Sequence, residues 1–164
     1  MATDREGAGV PFQEPARLWS VDEANRRLDD LRELLPQMRA WVVRLRKVHD
    51  ELHRLSTFWG REIDAPDHPD RGLKHRLDEE WRELTRQLEE KVDALRGEGI
   101  EVKDLESGLI DFYALRDNEV VFLCWQRGED EVAFFHTLDG GYATRRALSE
   151  SGARRAPPRS RRGL

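Results

Sequence analysis

The spacing of apolar residues predicts a long amphipathic helix over residues 20–59. One row of apolar positions alternates at intervals of three and four residues, which is the spacing of one helix face. Its members are Val21, Ala24, Leu28, Leu31, Leu35, Met38, Val42 and Leu45. A second row runs from Leu34 to Trp59 and overlaps the first in the middle of the helix. The stripe is widest there, so we expect this helix to contact more than one neighbour.

Two local features refine the first helix. Ser20 and Glu23 have the spacing of a capping box, in which each side chain accepts a hydrogen bond from the other residue's backbone N–H. Pro36 lies inside the helix, where its ring removes one backbone hydrogen bond. We expect a kink at Pro36 and no helix end, because the apolar pattern resumes in phase beyond it.

A second helix is predicted over residues 73–96. Residues 60–72 contain two glycines and two prolines and therefore form a loop. The apolar positions of the second helix again follow a three-four alternation, and Gly97 supplies its end. Two such helices joined by a short loop predict a long antiparallel, coiled-coil-like helical hairpin.

The two predicted helices differ in length. At about 1.5 Å per residue the first is roughly 58 Å long and the second roughly 36 Å. The second helix therefore ends opposite Pro36 and leaves the first third of its neighbour uncovered. That third carries Leu28, Leu31 and Leu35. Another part of the chain must cover these leucines.

The apolar period changes to two after Gly99, which predicts a β module over residues 99–148. Strands are expected at residues 100–102, 109–112, 119–125 and 131–136, with the last two forming a hairpin. We expect this small antiparallel module to pack on the open end of the helical hairpin. The predicted fold class is α+β, mostly α, with residues 17–148 as a single domain.

Several motifs occur in a fixed order along the chain. In the first helix they are Glu23-Ala24-Asn25 and Leu34-Leu35-Pro36; in the β module they are Gly99-Ile100-Glu101-Val102-Lys103-Asp104-Leu105, Gly108-Leu109-Ile110-Asp111-Phe112, Leu123-Cys124-Trp125, Gly128-Glu129, Phe135-His136 and Gly141-Tyr142. In these motifs the chain resembles the bacterial domain-of-unknown-function family 2203, from about residue 18 to 145. The resemblance implies a fold and no reaction.

Charge is distributed unevenly. Residues 149–164 carry five arginines and one glutamate, a net charge of +4, whereas the remainder carries a net charge of −9. An acidic body argues against a folded nucleic-acid site, which requires clustered positive charge. The Arg-rich tail can contact nucleic acid only weakly. We expect disorder at residues 1–16 and 149–164, because neither segment has enough apolar residues to fold.

Other features bear on the cellular location. No stretch approaches the ~20 apolar residues of a membrane-spanning helix. The first residues lack the apolar core of a secretory signal. Cys124 is the single cysteine, so no internal disulfide can form. Together these features predict a cytoplasmic protein.

Seven polar residues are candidates for a ligand site. They are Glu23, Asn25, Asp111, Cys124, Glu129, His136 and Arg145. A carboxylate, a thiol and an imidazole brought together can bind a metal or activate a nucleophile. The chain lacks CxxC and HxxxH motifs, so we expect neither a closed structural zinc site nor any cofactor.

Each candidate also has a simpler structural interpretation. Cys124 alternates with apolar residues and can be a small buried hydrophobe. His136 can bond a backbone carbonyl, and Asp111 can cap the following turn. Glu129 can be solvated in a turn, and Arg145 can pair with a nearby aspartate.

Three functions remain open from the sequence. We favour a non-enzymatic interaction module that associates with itself through the helical hairpin. The alternative is a small-ligand or metal-binding protein, with or without enzymatic activity, whose site lies between the start of the first helix and the β module. In the third, the tail tethers the protein to nucleic acid. The sequence identifies no substrate, partner or oligomer number.

Overall fold

A computed structural model describes residues 14–149 of the chain. Helix α1 spans Val21–Trp59, a 3-10 turn spans Gly60–Asp64, and helix α2 spans Arg71–Gly97. Five strands follow: β1 Ile100–Asp104, β2 Leu109–Arg116, β3 Glu119–Gln126, β4 Phe134–Thr137 and β5 Arg146–Ala147, with a 3-10 turn at Tyr142–Thr144 before β5. The predicted disorder of the N-terminal segment and of the Arg-rich tail concerns residues that lie almost entirely outside this range. The fold is α+β and mostly helical.

Helix α1 begins as the sequence predicts. The Ser20 hydroxyl accepts a hydrogen bond from the Glu23 N–H at 3.2 Å, and the Glu23 carboxylate accepts one from the Ser20 N–H at 2.9 Å. The helix then continues through Pro36 to Trp59 without a break. One lost hydrogen bond is therefore tolerated in a helix whose apolar pattern is in phase on both sides.

The connection between the helices is shorter than predicted. Residues 60–64 form a helical turn, and α2 begins at Arg71, two residues before the predicted start. The Trp59 indole N–H donates to the Asp70 carboxylate at 3.0 Å, so that side chain does not cap α2. The two helices contact each other further along, where Arg44 and Glu80 form a bidentate ion pair at 2.5 and 2.7 Å.

The five strands form one antiparallel sheet in sequential order, β1 to β5. Strands β2 and β3 are joined by a two-residue turn, Asp117-Asn118, whose φ angles of 49° and 65° suit a type I′ hairpin. Strand β2 extends four residues beyond its predicted end. Strand β4 begins three residues late, because the Val132 N–H donates to the Asn25 side chain and not to a strand. The two-residue strand β5 was not predicted.

One face of the sheet shares a core with the helices. The buried cluster contains Trp19, Ala24, Leu28, Leu31, Leu35, Met38, Leu95, Ile100, Ile110, Phe112, Ala114, Val121, Leu123, Trp125 and Val132. The leucines that the short second helix cannot reach are therefore buried with the sheet. Gly99 allows the close approach of the preceding segment, because its φ is +76° and a Cβ there would lie 2.4 Å from the Arg17 carbonyl oxygen.

Alternate strand residues point to the opposite, outer face of the sheet. This face carries aromatic residues, on which two long cationic side chains lie. The Lys103 ammonium is 4.4 Å from the centre of the Phe122 ring, and the Arg145 guanidinium is 4.2 Å from that of Phe134. In residues 14–149 no helix combines the length and the apolar character that crossing a membrane requires.

Candidate metal centre

Strand register brings three candidate residues together on the outer face. Asp111 on β2 lies directly opposite Cys124 on β3, and Phe122 on β3 lies opposite His136 on β4. Cys124 and His136 are thus diagonal neighbours on one face. One potential ligand atom from each of Asp111, Cys124 and His136 lies within 4.8 Å of the other two. Three strands of a rigid sheet therefore supply an O, an S and an N atom to one small region.

This cluster is buried. Asp111 is 1% exposed, Cys124 is fully buried, and His136 is 4% exposed. Within the described residues, Asp111 and His136 are the only polar residues that are buried. Burial of a carboxyl group beside an imidazole carries a desolvation penalty unless both are compensated. A fold that keeps this pair inside therefore points to a role for it.

The contacts of His136 determine where its protons lie. Its Nδ1 is 2.7 Å from the Thr137 carbonyl oxygen, which can only accept, so Nδ1 carries a hydrogen and donates it. Its Nε2 is 3.1 Å from the Asp111 Oδ2 atom. An imidazole lone pair and a carboxylate oxygen repel each other at that distance unless a proton or a metal ion lies between them.

Burial favours the protonated forms of Asp111 and Cys124. Burial raises the pKa of Asp111, while His136, Cys124 and the Lys103 ammonium, 3.9 Å away, act in the opposite direction. Burial, reinforced by Asp111, raises the pKa of the Cys124 thiol to about 12, and Arg145 opposes this increase. The Asp111 Oδ1 atom is buried and has no hydrogen-bond partner within residues 14–149. A buried acceptor without a partner is unusual and carries a penalty of about 1–3 kcal/mol.

Arg145 and Glu129 form the rim of the cluster. The Arg145 Nη2 atom is 2.7 Å from the Glu129 carboxylate and donates to the Tyr142 hydroxyl at 3.0 Å. The other Glu129 oxygen accepts from the Gln126 N–H at 2.9 Å. Arg145 therefore pairs with a glutamate and not with an aspartate, and Glu129 is held in place and is not a freely solvated turn residue.

The structure separates the seven candidates into two groups. Asp111, Cys124, Glu129, His136 and Arg145 lie together at the outer face of the sheet. Glu23 caps helix α1, and Asn25 accepts a hydrogen bond from the Val132 N–H at 2.7 Å, so both serve the fold. The cluster is therefore not located between the start of α1 and the sheet. The physical reason is strand alternation: Ile110 and Phe112 face the helices, so Asp111 must face away.

Three further contributors were not predicted. They are Lys103, Tyr142 and the Thr137 carbonyl group, which contact the cluster or its rim. Lys103 could have been identified from the alternation of side chains along β1, the edge strand, because this alternation places it on the same face as Asp111 of the adjacent strand β2. The Thr137 carbonyl has no sequence pattern of its own, since every residue carries one.

The fold and the cluster define a mostly helical α+β protein that carries an Asp–Cys–His centre on the outer face of an antiparallel sheet. Residues 17–148 match the family described as Uncharacterized conserved protein (DUF2203). The chain belongs to that family, as its motifs indicate. Comparison with curated proteins and with solved structures gives no match.

Proposed function

We propose that this protein binds a divalent transition-metal ion, with Zn²⁺ the best fit, through Asp111, Cys124 and His136. The observation that carries the proposal is the orientation of His136. Its Nδ1–H donates to a backbone carbonyl, which directs the Nε2 lone pair toward the Asp111 oxygen. Metal-binding histidines are commonly held by such a second hydrogen bond, which fixes the tautomer.

The distance between the Asp111 and His136 ligand atoms suits a tetrahedral ion, and the Cys124 sulfur lies within 4.8 Å of a ligand atom of each. Zn–N and Zn–O bonds of about 2.0–2.1 Å place neighbouring ligand atoms about 3.3 Å apart. The Asp111 Oδ2 and His136 Nε2 atoms are 3.1 Å apart, so an ion can replace the proton between them with a shift of a few tenths of an ångström. Mixed imidazole, thiolate and carboxylate ligands favour zinc over magnesium or calcium, which prefer oxygen.

Three protein ligands leave one tetrahedral position for a water molecule or another small ligand. Closed structural zinc sites use four protein ligands, whereas binding and catalytic sites use three and keep one position open. We therefore favour a ligand-binding or catalytic role for the metal. A reducing cytoplasm, where Cys124 remains a thiol, is part of this proposal.

Elemental analysis of protein purified without a metal-affinity tag tests the proposal. We expect about one equivalent of metal, taken up again by the chelated protein when Zn²⁺ is added. Asp111→Asn and His136→Ala should remove it. His49→Ala is the matched control, because His49 lies exposed on α1. A folded wild-type protein that takes up no Zn²⁺ would rule out the site.

A second proposal concerns the helices. We infer that α1 and α2 form a coiled-coil-like hairpin, with the sheet on its open end, and that two copies associate through it. Phe58 is 77% exposed, and Val43, Leu73 and Trp81 are also exposed along the part of the helices that the sheet core does not reach. Exposed apolar surface of this kind often marks an interface.

Charge indicates that the occupant is a second copy. Apart from Arg44 and Glu80, which pair within the chain, residues 39–54 of α1 carry a net charge of +2 and residues 78–93 of α2 carry a net charge of −3. A two-fold dimer that places α1 against the partner's α2 pairs these opposite charges. Sedimentation at micromolar concentration should give a dimer mass that Trp81→Glu reduces to the monomer, while Arg26→Glu, at an exposed position outside both charged segments, serves as a control. A wild-type monomer would refute the proposal.

A further inference from the structure

A second orphaned polar group lies beside the proposed metal centre. The Arg145 Nη1 atom is buried and has no hydrogen-bond partner within residues 14–149. The same guanidinium acts on the Cys124 thiol. From this juxtaposition, and given the proposed metal, we propose that the open coordination position takes a small carboxylate monoanion, held jointly by the metal and Arg145.

The guanidinium is fixed in place by its other contacts. Its Nη2 atom is occupied by Glu129 and the Tyr142 hydroxyl. Its carbon lies 4.2 Å from the centre of the Phe134 ring and 4.0 Å from that of Tyr142, so it is held between two aromatic side chains. Its remaining contact is a weak hydrogen bond to the Cys124 sulfur, so the guanidinium is a preorganised donor that can still bind a carboxylate, and hydrogen bonds from arginine to carboxylates are strong.

The charge balance selects a monoanion. A divalent ion bound to the Asp111 carboxylate and the Cys124 thiolate forms a neutral unit. The pair of Arg145 and Glu129 is also neutral. Glu101, opposite Asp111 on β1, is 3.9 Å from Arg96, so the Lys103 ammonium, 3.9 Å from Asp111, leaves one positive charge. A bound monoanion cancels it, which matters because uncompensated charge in a desolvated site is unfavourable.

Burial limits the size of the ligand. The three proposed metal ligands are at most 4% exposed, whereas the Arg145 side chain is 14% exposed and Tyr142 is 44% exposed. The exposed parts of the rim are Tyr142 and Lys103, whose side chain is 39% exposed. A short carboxylate that reaches Arg145 from the Tyr142 side fits this burial, whereas a large substrate does not.

Acetate binding to the Co²⁺-loaded protein tests this inference. Co²⁺ substitutes for Zn²⁺, and its visible absorption reports both thiolate ligation and any change in the fourth ligand. We expect a saturable acetate-dependent change at constant ionic strength. Arg145→Gln should keep one equivalent of Co²⁺ and weaken acetate binding about tenfold or more, the loss expected when a charged hydrogen bond is removed. Arg146→Gln makes the same charge change at the neighbouring exposed position and should bind acetate like the wild type.

The outcomes separate the two proposals. If the wild type binds no Co²⁺, the metal centre itself is refuted and this inference falls with it. If Co²⁺ binds but acetate leaves the spectrum unchanged, or if Arg145→Gln binds acetate as the wild type does, the metal centre stands and the role of Arg145 is refuted. Arg145→Lys, which keeps the charge, covers the case in which the glutamine variant does not fold, and it should bind acetate more weakly than the wild type.

Discussion

Truncation of Leu31 to alanine tests whether the sheet and the first third of α1 unfold together. Leu31 is fully buried in the core cluster that also contains Leu28, Leu35 and Trp125. Leucine-to-alanine changes at such sites cost roughly 2–5 kcal/mol, depending on how far the surroundings relax. Leu31 is enclosed by α1 neighbours and by the sheet, so we expect about 3 kcal/mol.

This loss should appear in the sheet although the mutation is in the helix. A loss of about 3 kcal/mol raises the opening equilibrium roughly a hundredfold. Amide hydrogen exchange of residues 121–125 in β3 should accelerate by that factor, provided that these amides open with the global unfolding reaction. Chemical denaturation supplies the loss of free energy independently, and an unchanged m-value excludes a change in the unfolded state.

Leu77→Ala is the matched control. Leu77 is 4% exposed on α2 but lies outside the sheet cluster. Its truncation should accelerate exchange in the first half of α2 more than in β3. If β3 exchange is unchanged in a destabilised Leu31→Ala variant, the sheet and the helix do not form one cooperative unit.

Three further predictions concern the cluster. Burial raises the pKa of Asp111 above the reference value of 3.8. In the metal-free protein the protonated Asp111 side chain therefore contributes fully to stability below pH 3.8, and this contribution is lost as the pH rises through the pKa of Asp111 in the folded protein. Asp111→Asn, whose amide can donate to His136 Nε2 at any pH, should therefore be more stable than the wild type at pH 8 in a chelator; thermal melts that show lower stability would contradict this. The Cys124 pKa of about 12 against 9.0 predicts that metal-free protein loses stability between pH 9 and 12, and that a Cys124→Ala variant lacks this loss in alkaline denaturation curves. Zn²⁺ binding must displace the thiol proton of Cys124, so its affinity should rise about tenfold per pH unit near neutrality, and calorimetry in buffers of different ionisation enthalpy should detect at least one released proton; binding independent of pH would contradict Cys124 as a ligand.

Much of the secondary structure could be predicted because the apolar residues follow a clear helical period in one part of the chain and a clear strand period in another. The three-four alternation from Val21 to Leu45 and the capping box at Ser20 fixed the first helix almost to the residue. The change to a period of two after Gly99 located β1 to β3. The start of α2 was placed too late because Gly72 is a poor helix former, yet glycine is tolerated in a first turn whose N–H groups have no partners within the helix.

The ends of strands β4 and β5 depend on individual contacts that the spacing of apolar residues does not reveal. Strand β4 starts late because Asn25, more than a hundred residues earlier, takes the Val132 N–H. Strand β5 has only two residues, and its pairing with Phe134 and Phe135 depends on the path of the preceding segment. Such contacts are set by tertiary structure, so a single sequence does not specify them.

For the candidate site, the residue types in the sequence indicated which side chains could bind a ligand, but the sequence did not indicate where in the fold the site lies. The chemistry of Asp111, Cys124 and His136 makes them candidates, but the sequence does not predict whether they converge, and the expected site lay between the start of the first helix and the β module. The alternation of side chains along a strand gives the correct location. Phe112 lies in the core, so Asp111 must lie on the other face of the sheet, where it is paired with Cys124 on the neighbouring strand. The alternation of side chains does not predict whether the outer face is buried. Here its burial depends on the side chains of Lys103 and Arg145, which lie across it.

The two faces of the sheet have separate physical roles, and this separation makes a metal centre feasible in a protein without a second cysteine. The inner face and the helices already form a large apolar core, so the fold does not depend on the metal as that of a zinc finger does. On the outer face each of three adjacent strands carries one potential metal ligand, and the sheet fixes their spacing. A site of this kind gains affinity because its ligands are already in position. It can also keep a coordination position open, since it is not required to hold the chain together.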